Sequence, residues 1–329
     1  MKVTCELKSI KELYNLTKND ISIKADNTGF SAISPSKDNV LVAVDLAGEV
    51  MELGTQLLDK DIINNIKIKN ADITITDEEL EVGNRKFKYV KNDKITQPIH
   101  IGNKVAELTP DDYNKIINVE YAVSTSDARP ILKNVYVNKE DIVALDGYRL
   151  AIRKNNVVFA EGNKDFLIPL SMIKFMKKIK PSKNIEVFKN WKFISLKIDN
   201  ITLTSEYESG EYINYKMLLP SSHEIKVVID VNEVVDILKG YNKDFKLLRL
   251  DIKSEEMIMK VSNKKFAIED KLNATSNNNI EIGMNPKYFK EALINYNDKI
   301  TINIKDQLSP FYVEQDGKYD LMLPVKILK

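Results

Sequence analysis

Asp146 and Arg149, three residues apart in Ala144-Leu145-Asp146-Gly147-Tyr148-Arg149-Leu150-Ala151, are the opposite charges best spaced to do chemistry. A carboxylate beside a guanidinium could move a proton or grip an anion. The neighbouring residue types favour a plainer role: Asp-Gly forms turns, and an arginine just past a turn more often braces it. Arg129, in Asp127-Ala128-Arg129-Pro130-Ile131-Leu132, reads as structural for the same reason. His100 and His223 fall in linker-like stretches, where solvent-exposed loop histidines are expected, and Trp191 follows a turn as a core or rim residue. With Cys5 the single cysteine and two histidines, a thiolate or histidine zinc centre is excluded, and the catalytic and metal sets are empty. The 11 glycines form no Gly-x-x-x-x-Gly-Lys loop, so ATP use is unsupported and no cofactor is expected.

The cations are the other candidates. There are 49 Lys and Arg against 48 Asp and Glu, a formal net charge of +1, so placement rather than balance decides what they attract. Residues 169–181 read as a helix with Leu170, Ile173, Met176 and Ile179 on one face and Lys174, Lys177 and Lys178 on the other. Weaker versions put Lys8 and Lys11, Lys115, Lys239 and Lys243, and Lys287 and Lys290 on the outer faces of further helices. Acidic runs such as Asp77-Glu78-Glu79 fall in strands and loops instead. Positive helices with negative rims suit loose, sequence-blind attraction to phosphates.

The elements that carry these residues recur. Capping-box starts at Ser9, Thr109 and Asp230 each open a stretch of helical periodicity. Tyr113, Ile116, Ile117 and Tyr121 form the stripe of one, and Val234, Val235, Leu238 and Tyr241 that of another. Strands ending at Asp45, Asp146 and Ser262 follow in the same order, and further helices are expected near Thr55, Pro169 and Asn285-Pro286. Alternating runs between them (residues 72–76, 80–82, 85–90, 185–188, 193–198, 201–204, 300–304 and 311–313) predict strands. Asp77-Glu78, Gly83-Asn84, Asp199-Asn200 and Asp316-Gly317 predict the hairpins. The class is α+β, a unit of two helices and several antiparallel strands used three times, weakest in the first copy, where residues 26–37 look irregular.

A length of 329 residues fits two or three domains. The 43% hydrophobic and 29% charged fractions are ordinary, and no apolar run approaches the roughly 18 residues of a membrane span. The first seven residues alternate like a strand and lack a secretory signal, so a cytoplasmic location is expected.

The repeat, Arg129-Pro130-Ile131-Leu132 and the 144–151 segment resemble the bacterial DNA polymerase III β subunit, or sliding clamp, family. Gly210-Glu211-Tyr212-Ile213-Asn214-Tyr215 is similar to that family's Gly-x-Phe-Pro-Asp-Tyr, and Leu323-Pro324-Val325-Lys326-Ile327 to its terminal Met-Pro-Met-Arg-Leu. The resemblance implies three tandem DNA-clamp domains, cut at 1–104, 105–221 and 222–329, forming half of a ring. It further implies a non-catalytic processivity factor that encircles duplex DNA as a head-to-tail homodimer. Its partners would be the replicative DNA polymerase, a separate clamp loader and other proteins with clamp-binding motifs.

Partners of this family insert a peptide into an apolar cleft between the second and third domains. Carried over, the cleft comprises Leu132, Leu145, Gly147, Tyr148, Arg149, Leu150, Ile213, Leu218, Leu308, Ser309, Leu321, Leu323, Pro324, Val325 and Lys326. Leu145 and Tyr148 replace the family's threonine and histidine, Tyr212-Ile213 its Phe-Pro, and Val325 and Lys326 its terminal Met and Arg. These departures imply a more apolar pocket suited to the partners of a divergent, phage- or plasmid-type replication system. The rivals are a clamp-fold DNA-binding or regulatory protein that forms no stable closed ring, and a hydrolase working through paired carboxylates.

Overall fold

The computed structural model describes residues 1–329 except 28, 69–70, 90–94, 98, 209 and 328–329. Among the described residues, six α-helices alternate with antiparallel strands: α1 (Leu7–Thr17), α2 (Lys60–Asn65), α3 (Pro110–Asn118), α4 (Leu170–Met176), α5 (Val231–Gly240) and α6 (Pro286–Leu293). Each odd-numbered helix follows a strand directly, as does each even-numbered one, so the strand-to-helix step occurs twice in each of three successive repeats. The fold is the α+β arrangement expected.

Local chemistry sets where these helices begin. Thr109 and Asp112 bond reciprocally at the start of α3, the Thr109 hydroxyl accepting from the Asp112 N–H at 3.1 Å and the Asp112 carboxylate from the Thr109 N–H at 3.2 Å. Pro110 takes the first helical position, where a missing N–H costs nothing. Asp230 accepts from the N–H groups of Asn232 and Glu233, and Asn285 from that of Lys287. Each such cap stabilises by about 1 kcal/mol.

Two expected starts are displaced. Helix α1 begins at Leu7 behind an uncapped Glu6, which puts Ser9 inside the first turn. Thr55 lies in the strand Gly54–Leu58, paired with Lys24, and α2 starts only after Asp59, whose carboxylate accepts from Asp61 N–H at 2.7 Å. Where irregular chain is expected, Ile21–Asp26 and Gly29–Pro35 form a hairpin ladder. Lys177 and Lys178 lie past the end of α4, which the turn to Pro181 cuts to seven residues. The strand ending at Asp45 is the third after its helix, whereas those ending near Asp146 and at Ser262 are the second; alternation marks a strand without saying which one.

Contacts gather the chain into two compact units, Met1–Ile117 with Asn156–Ser209, and Asn118–Asn155 with Gly210–Lys329. The middle repeat is therefore shared between them. In the first unit, Val40–Asp45 pairs with Ile201–Glu206, joining strands from the first and second repeats into one sheet. In the second unit, Arg149–Lys154 pairs with Lys318–Met322, joining the second and third. One rule covers both joints: the third strand after a repeat's first helix pairs with the last strand of the next repeat.

The second unit's sheet separates two cores. Residues 311 and 312, and 321 and 322, alternate across it. Phe311 and Met322 face α5 and α6 with Val234, Leu238, Phe289 and Leu293. Tyr312 and Leu321 face the other way, with Leu132, Val143, Leu145, Leu150, Ile152 and Tyr215. Residues 212–219 cover that second face only in part, leaving apolar surface open to solvent.

Candidate functional site

The turn between Asp141–Leu145 and Arg149–Lys154 builds one end of the open face. Asp146 accepts from the N–H groups of Tyr148 and Arg149 at 2.9 and 3.1 Å, and Gly147 holds φ at +92°, a left-handed value that side chains resist. The Arg149 Nε donates to Asp146 at 3.0 Å, and its other nitrogens donate to Glu291 of α6 and to the Tyr121 carbonyl. Its guanidinium also lies 4.1 Å from the centre of the Tyr288 ring. Arg149 is therefore a brace, each of its three guanidinium nitrogens donating to a partner.

Beside this turn is a hollow of about 250 Å³ lined by Arg129, Leu145, Gly147, Tyr148, Arg149, Leu150, Ile213, Leu218, Pro310, Leu321 and Leu323. Its floor is two cross-strand rungs, Leu145 opposite Leu150 and Leu150 opposite Leu321. Tyr148 stands 62% exposed at its lip, with Leu218 and Leu323 partly exposed around it. A hollow with an apolar floor and few polar groups suits an apolar anchor on an extended peptide.

Six of the residues expected here are placed elsewhere. Leu132 is buried in the core behind the floor, as its apolar ladder demands. Leu308 is 72% exposed on a loop, and the Ser309 hydroxyl donates to Asp306 at 2.8 Å. That loop's N–H groups and hydroxyl hold the Asp306 carboxyl below its ordinary range. Pro324, Val325 and Lys326 continue past the hollow, because Val325 N–H donates to the Gly283 carbonyl at 2.8 Å and pulls the strand aside. Arg129 and Pro310 are lining residues not anticipated; the kinked Arg-Pro pair and a proline after a loop were the available signals.

Beneath the floor, Arg153 and Asp320, each 2% or less exposed, pair at 3.0 Å. Tyr296 donates to Asp320 at 2.7 Å, and the Tyr121 hydroxyl donates to its other oxygen. Burial first, and the Asp320 charge second, push both phenols far above their ordinary range. Tyr121 thus ties the buried pair to the Arg149 brace through its own carbonyl. Nothing in the sequence announced this pairing, since its members lie more than 150 residues apart.

The candidate cations are mostly paired. Lys115 meets Asp111 at 2.7 Å, Lys174 meets Asp38 at 3.1 Å, Lys239 meets Asp236 at 2.9 Å, and Lys8 meets Glu12 at 4.0 Å. Lys11 donates to the Ile68 carbonyl, and the Lys178 ammonium sits 5.1 Å from the Phe175 ring centre. Surface pairs of this kind contribute about 0 to 1 kcal/mol, so they yield readily to a phosphate. Lys243, which lies past the end of α5 at Gly240, comes together with Lys246, Lys290 and the Glu291-paired Lys287 around a hollow of about 510 Å³ between α5 and α6.

Two isolated residues differ from expectation. His223 is half-buried, its Nδ1 2.7 Å from the Tyr312 hydroxyl, because it precedes a core strand. Trp191 is 85% exposed in the turn before Phe193–Ile198, outside any core. Among the described residues, no cluster of three or more His, Cys, Asp or Glu could hold a metal, and no helix is long and apolar enough to cross a membrane.

Repeated two-helix units sharing sheets, with an apolar hollow at such a joint, define the sliding-clamp fold. The family model for the DNA polymerase III beta subunit, central domain, matches residues 107–214. The β sliding clamp of Staphylococcus aureus is 26% identical over 233 residues, 65% of this chain and 61% of that protein, and that of Staphylococcus epidermidis is 26% identical over 231 residues. The chain thus spans 61% of the length of the curated relatives it matches. Among solved structures, a DNA polymerase III beta subunit from Eubacterium rectale superposes with TM-score 0.87 at 19% identity, over 99% of this chain and 100% of that one. The Bacillus subtilis clamp gives 0.83 at 18%, covering all of both chains. Residues 107–214 thus match that central domain, and the chain shares the fold of these solved clamps.

Proposed function

We propose that this protein is a sliding clamp: two copies close head to tail around duplex DNA and tether a DNA polymerase through the hollow at Leu145, Leu150 and Leu321. The observation carrying this reading is that side chains from three separate stretches, 145–150, 213–218 and 321–323, converge on one apolar recess. The residues that line it bind and orient a peptide, and they transform nothing. Polymerase, clamp loader and other motif-bearing proteins would compete for it in the cytoplasm.

Strand sharing supports closure. After the two joints within the chain, the pairing rule leaves over Ala267–Ser276 of the third repeat and Arg85–Lys88 of the first. The first carries Glu269 and Asp270 with Lys271, net negative, and the second Arg85, Lys86 and Lys88, so the two edges are opposite in net charge. Two copies joined this way make two equivalent heterologous contacts that close on themselves. The domains would then be 1–104, 105–221 and 222–329. Lys8, Lys11, Lys115, Lys174, Lys177, Lys178, Lys239, Lys243, Lys287 and Lys290 would be the candidate phosphate contacts, weak enough to let the ring slide.

Two measurements test the proposal. Light scattering at micromolar concentration should give a dimer mass, and protein loaded on circular plasmid should survive high salt until the plasmid is linearised. A monomer that leaves circular and linear DNA alike would favour a clamp-fold binding protein without a ring.

A further inference from the structure

Glu291 faces both surfaces used in the preceding proposal. One carboxylate oxygen accepts from the Arg149 guanidinium beside the apolar hollow. The other lies 3.9 Å from the Lys287 ammonium. Glu291 also lines the basic hollow with Lys243, Lys246, Lys287 and Lys290. One turn earlier on the same face of α6, Tyr288 stacks on Arg149 and meets the exposed Tyr148 ring at 6.3 Å between centroids. Helix α6 therefore holds Arg149 at the lip of the apolar hollow through Tyr288 and Glu291, and through Glu291 also places one negative charge beside the basic hollow. The side chain is only 25% exposed, so its preference between the two cations is weakly screened by water.

We propose that Glu291 is a positioning residue that couples the two hollows, so that a polyanion held by the α5–α6 lysines tightens peptide binding at the apolar hollow. This rests on the sliding-clamp reading. A phosphate approaching Lys287 takes that ammonium from Glu291 and repels the carboxylate, leaving Arg149 as its remaining partner. Arg149 is then held more firmly against Asp146 and Tyr288, and the Gly147–Tyr148 lip that a peptide must meet is more nearly fixed beforehand. Linkage makes the effect reciprocal: a peptide that needs Arg149 in place favours the state in which Glu291 has released Lys287.

The test uses the full-length protein, a fluorescent peptide with leucine and phenylalanine anchors, and a short blunt DNA duplex as polyanion. In the wild type, saturating duplex should tighten the peptide about fivefold, the low end of usual coupling between sites. In E291Q, which keeps size and one acceptor, the peptide should still bind but the fivefold gain should vanish, while E291D should restore part of it. Peptide and duplex binding independently in the wild type would overturn the coupling and leave the clamp reading intact. An equal gain in wild type and E291Q would remove Glu291 from the role. Failure of the peptide to bind at all, with or without duplex, would overturn the clamp reading and this inference with it.

Discussion

The apolar hollow and the lysine-bearing helices hold their side chains in opposite ways. Around the hollow, Arg149 makes three polar side-chain contacts and lies over two aromatic rings, and Arg153 shares Asp320 with two tyrosines. On the helices, each lysine has at most a single surface partner among the contacts described above. The first arrangement fixes a shape before any partner arrives, which binding an extended peptide rewards. The second keeps charges exchangeable, as the proposed sliding along DNA would require. Precision and looseness are assigned to separate surfaces of one chain.

The sharpest way to break that contrast is to unlock the fixed region. Asp320→Ala leaves Arg153 buried without its counter-charge and takes an acceptor from Tyr121 and Tyr296, so urea unfolding should show a loss of about 3 to 5 kcal/mol. A loss below 1 kcal/mol would mean that the network contributes little to rigidity. Gly147→Ala meets no atom within 4 Å, so its cost is that of the left-handed backbone alone, about 1 to 2 kcal/mol. Peptide affinity measured by calorimetry should fall with it.

On the loose side, reversing Lys243 and Lys290 together to Glu should lower the slope of log affinity for duplex against log salt by about 2. Reversing Lys174, already paired with Asp38, should change it less, and neither change should shift the unfolding midpoint by more than a degree or two. Equal slopes for both variants would erase the distinction between clustered and paired lysines.

A last test, silent at neutral pH, concerns a buried group remote from both surfaces. Burial first, then the charges of Asp72 and Glu6, push the Cys5 thiol from 9.0 up to about 12. A raised folded-state value means that its contribution to stability is complete below pH 9.0 and is lost as pH climbs toward about 12. Cys5→Ala should remove that part of the alkaline slope while leaving any slope below pH 8 unchanged, as chemical unfolding across the range would show.

The sequence was informative where chemistry is local. The Thr109–Asp112 and Asp230 caps, the Asp146-Gly147 turn and the Asp316-Gly317 hairpin each depend on residues within a few positions of one another. The start of α2 was obscured because Thr55 reads as a cap residue while Lys24, thirty-one positions earlier, claims it for a strand. The hollow was legible in Leu145, Leu150 and Leu321 because alternation fixes which face they share. Leu308 and Val325 deviated because a loop held by Asp306 and a bond to Gly283 decide their direction. Lysine partners such as Asp38 for Lys174 arise from folding at a distance, and no spacing encodes them.

Gly283 has a consequence for the hollow's far wall. A methyl group added there would lie 2.3 Å from the Val325 carbonyl oxygen, so only the bare backbone lets residues 323–327 lie against Ile280–Met284. A single carbon at position 283, well outside the recess, would therefore unseat Leu323 and strip the recess of one flank.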